Sequence, residues 1–321
     1  MENGSLVISL DFELLWGVFD KVDYNKKIDY FENTRQLIPS LLQVFEKYKI
    51  HCTWATVGML FNSNWDDWNA NIPANLPNYK NQNLSAYTYG KSIQSKKTEK
   101  LCFAPNLIKK IKNTKGQEIG THTYSHYYCL EPGQDSLAFK ADIEKAIELA
   151  SIMGIDLKSL VFPRNQYNSA YLEICEKSGL NTVRTNPENW YWQNTQKDSI
   201  FHKIFRTGDA YFGAQDKTYK SSQIHRLSSQ LTGQKASRLL RSYSGRKVLD
   251  NLKLKRIYWE MEYAAKNKEN YHLWWHPHNF GNNPLQNLEE LKLILDYYCI
   301  LRDKYGFKSR SMGELAMEYI E

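Results

Sequence analysis

Short apolar segments alternate with amphipathic helical segments along most of this 321-residue chain. Residues 6–10 and 51–58 are predicted to be buried strands, and residues 33–48 between them carry apolar side chains at helical spacing. A strand at residues 271–275 and a helix at residues 284–305 repeat this order further along the sequence. Six or seven such strand–helix units predict a parallel α/β sheet or barrel, in which functional residues lie at the carboxyl ends of the strands.

Two segments interrupt this alternation. The length of the chain suits a single domain over residues 1–321. Residues 61–104 are rich in Asn, Trp and Pro, which predicts a loop insertion. Residues from about 205 to 268 are predicted to be a basic, partly helical insertion before the last strand–helix unit. The sequence has no repeat of fixed period and no low-complexity tract, so a repeat protein or a disordered chain is not expected.

Positive charge is concentrated in one part of the chain. The net charge is +7, and only Asp250 opposes the basic residues between positions 217 and 255. These basic residues are Lys217, Lys220, Arg226, Lys235, Arg238, Arg241, Arg246, Lys247, Lys253 and Lys255. Such a cluster favours an anionic partner, such as a phosphate or an acidic glycan, and Arg238 and Arg241 are its predicted substrate contacts. A solvated pair of basic helices is the alternative.

Other features exclude several classes of protein. Five cysteines without C-x-x-C spacing indicate neither a disulfide framework nor a zinc ribbon. No stretch approaches the roughly 20 apolar residues that span a bilayer, and the first residues lack a basic leader followed by a long apolar run. We therefore expect a cytoplasmic protein with at most peripheral membrane association. No P-loop, dinucleotide fingerprint or nucleophile elbow is present, and no specific nucleic-acid partner is expected.

Two pairs of polar side chains are candidates for a metal site. His122 and His126 are four residues apart, so that both imidazoles can reach one divalent ion. Asp11 and Glu13 follow the first strand, and they point the same way because side chains alternate along a strand. Two adjacent carboxylates repel each other unless a cation lies between them. The sequence therefore predicts a divalent metal site, with two solvated carboxylates at a strand end as the alternative.

These motifs resemble those of a known family. Asp11-Phe12-Glu13 and the histidine pair, followed by Phe-Pro-Arg164 and Trp-Trp-His276-Pro, are similar in type and order to the motifs of the polysaccharide deacetylase family (NodB homology domain, carbohydrate esterase family 4). The similarity extends from residue 6 to about residue 315. Typical members have a second Asp where Phe12 stands, so this chain resembles the subgroup with Asp-x-Glu in the first motif. The resemblance implies a distorted (β/α)7-type barrel and hydrolysis of an N-acyl group.

The resemblance also implies roles for individual side chains. The metal would be held by Glu13, His122 and His126, with zinc as the expected ion and iron, cobalt or nickel as alternatives. Asp11 would be the general base, kept ionised by Arg164, for which a surface ion pair is the alternative role. His276 would protonate the leaving amine as general acid, with His278 as its rival for that role.

Aromatic side chains are the expected walls of the substrate site, because a ring face matches the apolar face of a sugar. One of the adjacent residues Trp274 and Trp275 is predicted to line the pocket for the acetyl methyl group, and the other to lie in the core. Trp190 and Trp192 lie where the resemblance implies a further aromatic wall. The predicted substrate contacts are Trp54, Trp190, Trp274, Trp275, His278, Arg238 and Arg241.

The expected function is therefore removal of an N-acetyl group from a sugar or glycan precursor, in the biosynthesis of a surface polysaccharide. A precursor linked to phosphate would account for the basic segment. Two alternatives use the same scaffold. One is a hydrolase of cyclic imides, ureides or other small amides, and the other is a catalytically inactive protein that binds glycans.

Overall fold

The computed structural model describes residues 3–187, 189–193, 200–212 and 217–320. Within these ranges ten strands belong to one sheet. They are β1 Ser5–Phe12, β2 Cys52–Thr56, β3 Gln117–Thr121, β4 Ser159–Val161, β5 Thr182–Thr185, β6 His225–Arg226, β7 Thr232–Lys235, β8 Arg238–Leu239, β9 Asn270–Trp275 and β10 Lys308–Arg310.

Helices connect the strands and cover the sheet. Those in the described ranges are α1 Ile28–Tyr48, α2 Trp65–Ala70, α3 Ala86–Ile93, α4 Lys96–Cys102, α5 Pro105–Asn113, α6 Ser136–Ile152, α7 Ser169–Lys177, α8 Trp190–Gln193, α9 Ile200–Gly208, α10 Lys247–Asn267, α11 Pro284–Tyr305 and α12 Met312–Ile320. Short 3-10 turns follow several strands. None of the described helices combines the length and the apolar character that crossing a lipid bilayer requires.

The sheet curls into a barrel-like structure. Its strand order is β6-β7-β5-β4-β3-β2-β1-β9-β8, with β10 beside the start of β1, and among the described strand pairs only β6 and β7 are antiparallel. One extended segment bridges the two sides of the curl, because β7 pairs with β5 whereas β8 pairs with β9. Between them, Ala236 N–H donates to the carbonyl of Thr185 and Ser237 N–H donates to that of His272. The predicted α/β barrel-like architecture is confirmed.

Strand β1 lies in the middle of the sheet and orients the residues that follow it. All of its residues are buried, because β2 and β9 pair with it on either side and helices cover its outer surface. Leu6, Ile8 and Leu10 pack into the main hydrophobic core. Since side chains alternate along a strand, Ser9 and Asp11 point to the other side, into the barrel. The carboxylate of Asp11 therefore lies inside the barrel near the carboxyl end of β1.

The predicted loop insertion at residues 61–104 contains three short helices, α2, α3 and α4, separated by irregular segments. One Asn and two Ser residues of this segment are helix N-caps. Asn64, Ser85 and Ser95 each accept a hydrogen bond from a backbone N–H three residues further on. Polar composition therefore marked the starts of short helices rather than the absence of secondary structure.

The predicted helical insertion at residues 205–268 belongs to the barrel itself. Apart from residues 213–216, which lie outside the described residues, it contains the bridging strands β7 and β8 and the long helix α10. Helix α10 packs against α11 as an ordinary outer helix of the barrel. The strands in this stretch could not be predicted from its basic composition, because they form by pairing with distant strands and lack an apolar sequence pattern. A single domain over residues 1–321 remains a prediction.

Candidate active site

Two buried carboxylates, Asp11 and Glu13, occupy the carboxyl end of β1. The guanidinium of Arg184 donates two parallel hydrogen bonds to Asp11, from Nη1 to Oδ1 and from Nη2 to Oδ2, each 2.7 Å long. Burial alone would raise the pKa of Asp11, but Arg184 and the nearby imidazoles of His276 and His122 outweigh it and lower that pKa. Asp11 is therefore held as an ionised, oriented carboxylate.

Glu13 lies against the two histidines that follow β3. Its Oε1 atom is 2.9 Å from Nε2 of His122 and 3.3 Å from Nε2 of His126. Burial alone would raise the pKa of Glu13, but His276, His122 and His126 outweigh that effect and lower the pKa strongly. The histidine pair and Glu13, predicted from separate motifs, thus meet in one buried cluster.

The hydrogen bonds of His122 favour a metal ion in this cluster. Its Nδ1 atom lies 2.7 Å from the carbonyl oxygen of Val161, which can only accept, so Nδ1 carries the proton. Nε2 of His122 then faces the carboxylate of Glu13, and a cation bound between them would interact favourably with both atoms. Burial lowers the pKa of His126, which also favours the neutral, metal-binding form of that ring.

The spacing of these atoms also fits a metal ion. Two ligand atoms at about 2.0–2.2 Å from one ion are about 2.8–3.6 Å apart, the shorter separations belonging to octahedral and the longer to tetrahedral geometry. The separations between Glu13 Oε1 and the imidazole nitrogens of His122 and His126, 2.9 and 3.3 Å, lie within that range. One carboxylate and two neutral imidazoles form a donor set that suits zinc and related divalent ions.

The predicted contact between Arg164 and Asp11 is replaced by the contact of Arg184. Arg164 pairs with Asp20 at 2.7 Å and Glu131 at 3.0 Å, and its guanidinium lies 4.0 Å from the ring centre of Tyr128. Arg164 lies in the 3-10 turn after β4, whereas Arg184 is part of the buried strand β5, whose side chain points into the barrel toward Asp11. A charged residue inside a buried strand requires a counterion, and this signal could have identified Arg184 from the sequence.

The two histidines after β9 lie in different environments. His276 borders the cavity at the site, with Nε2 3.6 Å from Asp11 Oδ2 and 3.8 Å from Glu13 Oε1. His278 is buried behind it, with Nδ1 3.8 Å from Glu13 Oε2. Burial, together with the neighbouring His276, lowers the pKa of His278 to about 3. His278 is therefore a poor proton donor near neutral pH, and it does not line the cavity, whereas His276 does.

The cavity above these residues has a volume of about 320 Å³. Two tryptophans form part of its wall, Trp274 and Trp192, with ring centres 6.2 Å apart. Trp274 also lies against the guanidinium of Arg184, 4.2 Å from ring centre to Cζ. The sequence placed only one of the adjacent residues 274 and 275 at the pocket, and the structure assigns that position to Trp274.

Three other tryptophans predicted as substrate contacts do not border this cavity. Trp275 is fully buried and stacks on Phe280, because it points to the outer side of β9. Trp54 is likewise buried in the core, where its indole N–H donates to the side chain of Gln117. Trp190 is exposed and packs against Phe205.

Arg238 and Arg241, the predicted anion contacts, are directed inward. Arg238 is buried in a two-pronged ion pair with Glu260, with N–O distances of 2.5 and 2.6 Å. Arg241 is half-buried and donates to the backbone carbonyl of Arg206. Lys253 in the same stretch is buried against Glu290. The basic segment is therefore partly neutralised inside the protein, by acidic residues that lie outside the segment in sequence.

Backbone strain is concentrated around the site. Most of the non-glycine residues with positive φ in the described ranges lie in the loops after β1, β3 and β4. These residues are Leu14, Thr123, His126, Arg164 and Asn165. Left-handed conformations are unfavourable for such residues, and they persist only where surrounding contacts impose them. The loops that carry the candidate ligands are thus held in conformations that the local sequence does not favour.

Gly17 is a further site residue that the sequence analysis did not identify. It ends the 3-10 turn that follows Glu13, and the carboxylate of Glu13 folds back over it. A Cβ atom at position 17 would lie 1.7 Å from Oε2 of Glu13 and 2.7 Å from its Cβ. Only glycine leaves room for Glu13 in the orientation that faces the two histidines.

We expect Gly17→Ala to weaken divalent metal binding by roughly 10–100-fold, since the added methyl group must displace Glu13. Competition with a chromogenic chelator would measure the affinity. Gly208→Ala is the matched control, because no atom lies within 4 Å of a Cβ placed there. Equal metal affinity for Gly17→Ala and the wild-type protein would show that Glu13 is not a ligand.

Comparison with known proteins agrees with this geometry. Residues 18–183, just over half of the chain, match the family model described as "Polysaccharide deacetylase". The fold is similar to a "putative polysaccharide deacetylase" from Mycobacterium smegmatis, with a TM-score of 0.63 and 12% identity over 99% of this chain and 91% of that one. It is also similar to "Puue Allantoinase", with a TM-score of 0.58 and 11% identity over 98% of this chain and 89% of that one.

A "probable polysaccharide deacetylase" from Pseudomonas aeruginosa PAO1 is similar as well, with a TM-score of 0.56 and 9% identity over 98% of this chain and 89% of that one. At such low identities these structures show a shared fold and not a shared substrate. No curated protein matches the chain.

Proposed function

Because this chain belongs to the polysaccharide deacetylase family, we propose that it is a metal-dependent hydrolase that removes an N-acetyl group from a sugar or glycan precursor. One observation carries this proposal. Glu13, His122 and His126 converge beside Asp11, which Arg184 holds in its ionised form. A metal site next to an oriented carboxylate is the arrangement that activation of a water molecule requires.

The proposed chemistry divides between the metal and the side chains. A divalent ion, with zinc as the expected one, would acidify a water molecule and polarise the carbonyl group of the substrate. Asp11 takes a proton from the water, whose oxygen then bonds to the carbonyl carbon. His276 donates a proton to the nitrogen as the C–N bond breaks, so that acetate and a free amine leave. Arg184 keeps Asp11 oriented, and Trp274 and Trp192 bound the space above the reacting group.

The proposed substrate is an N-acetylated sugar. Its supports are the family and the two tryptophans at the cavity, because indole rings pack well against sugar rings. A role in building a surface polysaccharide remains part of this proposal, as does the cytoplasm as its compartment. A phosphate on the substrate would meet Lys21, Arg164 or Arg206, which border the cavity, rather than the buried Arg238.

We expect removal of the metal to lower the release of acetate from N-acetylated oligosaccharides at least about 100-fold, since both activation of water and polarisation of the carbonyl depend on it. The measurement compares protein dialysed against a chelator with the same protein after addition of Zn²⁺. Full activity of the metal-free protein would contradict the mechanism. Bound metal and bound oligosaccharide without acetate release would instead identify a glycan-binding protein.

A second candidate function is hydrolysis of small cyclic ureides or imides. The fold similarity to allantoinase favours it over other amides. Parallel assays with allantoin and with N-acetylated chito-oligosaccharides would distinguish the two. Turnover of allantoin alone would show that the substrate is a ureide and not a sugar. The same metal site and the same base would then catalyse that reaction.

A further inference from the structure

Helix α9 turns an apolar face toward solvent. Four of its side chains are exposed, Ile200 by 69%, Phe201 by 67%, Ile204 by 60% and Phe205 by 49%. At 100° per residue, these positions cover one side of the helix. A surface helix normally buries its apolar side against its own protein. The exposed face, defined here as the α9 face by these four residues, therefore indicates a partner outside the chain.

Helix α9 is fixed to the protein by its other side. Arg206 donates from Nε to the carbonyl of Tyr191 at 2.7 Å, and the ring of His202 packs edge-on against Trp190. Arg241 donates to the carbonyl of Arg206 at 3.1 Å, near the end of the helix. These contacts orient the helix with its polar side inward, so the exposure of the α9 face follows from how the helix is held.

Helix α9 adjoins the active site. Arg206, on the opposite side of the same helix, borders the cavity together with Trp192. Its guanidinium lies 5.4 Å from the ring centre of Trp192. A molecule that covers the α9 face is therefore separated by this one helix from the cavity that contains Asp11 and His276.

Charge favours a lipid surface over a second copy of this chain. The protein carries a net charge of +7, so two copies repel each other, whereas an anionic bilayer attracts them. Residues 200–208 contain Lys203 and Arg206 and no acidic residue. A helix face of isoleucine and phenylalanine, on a helix without acidic residues, is typical of a surface that enters a membrane interface.

We infer that the α9 face docks on an anionic lipid bilayer, with the opening of the active site beside the membrane surface. The substrate would then be an acylated sugar carried on a lipid, a conclusion that rests on the proposed deacetylase function. Docking itself does not depend on that function, because the four residues of the α9 face are outside the catalytic cluster.

Co-sedimentation with vesicles tests this inference. The full chain is expected to bind vesicles of phosphatidylcholine mixed with phosphatidylglycerol. The double variant Phe201→Ser with Ile204→Ser should bind at least about tenfold more weakly, because two apolar side chains no longer enter the interface. A matched control replaces Leu285 and Ile300 on α11, which are 72% and 58% exposed, by Ser and should bind as the wild type does.

Two kinds of result, in vesicle binding and in oligomeric state, would overturn the inference. One is equal vesicle binding by the α9 double variant and the wild type, or no binding by either. The other is a wild-type dimer, detected by light scattering, that the α9 double variant dissociates, since a second copy would then cover the face. Acetate release from a water-soluble oligosaccharide is measured alongside and should be unchanged in the double variant. Its loss in every protein would count against the proposed function and not against docking.

Discussion

Asp11→Asn is expected to lower the rate constant kcat for acetate release by about 10²–10⁴-fold. The amide cannot take a proton from water, although it is almost the same size as the carboxylate and still offers an oxygen to Arg184. Glu13, His122 and His126 are unchanged, so the metal content should equal that of the wild type. A large fall in kcat at constant metal content would identify Asp11 as the base rather than as a ligand.

A matched control for this prediction is Asp156→Asn on the surface, where the side chain is mostly exposed and pairs with Lys158. It should leave both kcat and metal content unchanged. If Asp11→Asn kept kcat within a fewfold of the wild type, another group would have to be the base. If it lost the metal, Asp11 would belong to the metal site, consistent with its position near Glu13 and His276.

Much of the fold could be predicted because its signals are local. The predicted helix at 284–305 corresponds to α11, Pro284–Tyr305, and the predicted strand at 271–275 lies within β9. In both segments, the spacing of the apolar residues along the sequence indicates which side chains are buried in the fold. The bridging strand β7 has the sequence Thr-Gly-Gln-Lys, which contains no apolar pattern. It is a strand because it pairs with β5 in the barrel, and β5 is distant from it in sequence.

The residues of the site also differ in whether a local sequence signal identifies them. Asp11, Glu13, His122 and His126 follow strands in short motifs, and the family prediction built on them is confirmed. The partner of Asp11 was assigned to Arg164, but it is Arg184, which is 173 residues away in sequence. Which of two arginines reaches a carboxylate depends on strand order and on the side of the strand each occupies. Local patterns do not contain that information.

Arg184→Met is expected to lower the free energy of unfolding by about 3–5 kcal/mol near neutral pH, because it leaves the carboxylate of Asp11 buried without its partner. The loss also removes the hydrogen bond from Arg184 to Ser9, 3.0 Å long. Urea unfolding of both proteins would measure the difference. Arg302→Met, at a partly exposed arginine paired with Asp303, is the matched control and should change stability by less than about 0.5 kcal/mol.

The pH dependence of that difference separates an electrostatic cause from lost packing. Without Arg184, burial raises the pKa of Asp11, so the folded variant takes up a proton as the pH falls, and it gains stability down to the unfolded-state pKa of about 3.9. In the wild type the pKa of Asp11 is lowered, so Asp11 stays ionised over the same range and adds no such gain in stability. The folded wild type loses this ionised carboxylate only at lower pH. The stability gap between the two proteins should therefore narrow between neutral pH and pH 4 or so. A gap that stays constant over this range would mean that Arg184 stabilises the barrel by packing against Trp274 rather than by holding Asp11 ionised.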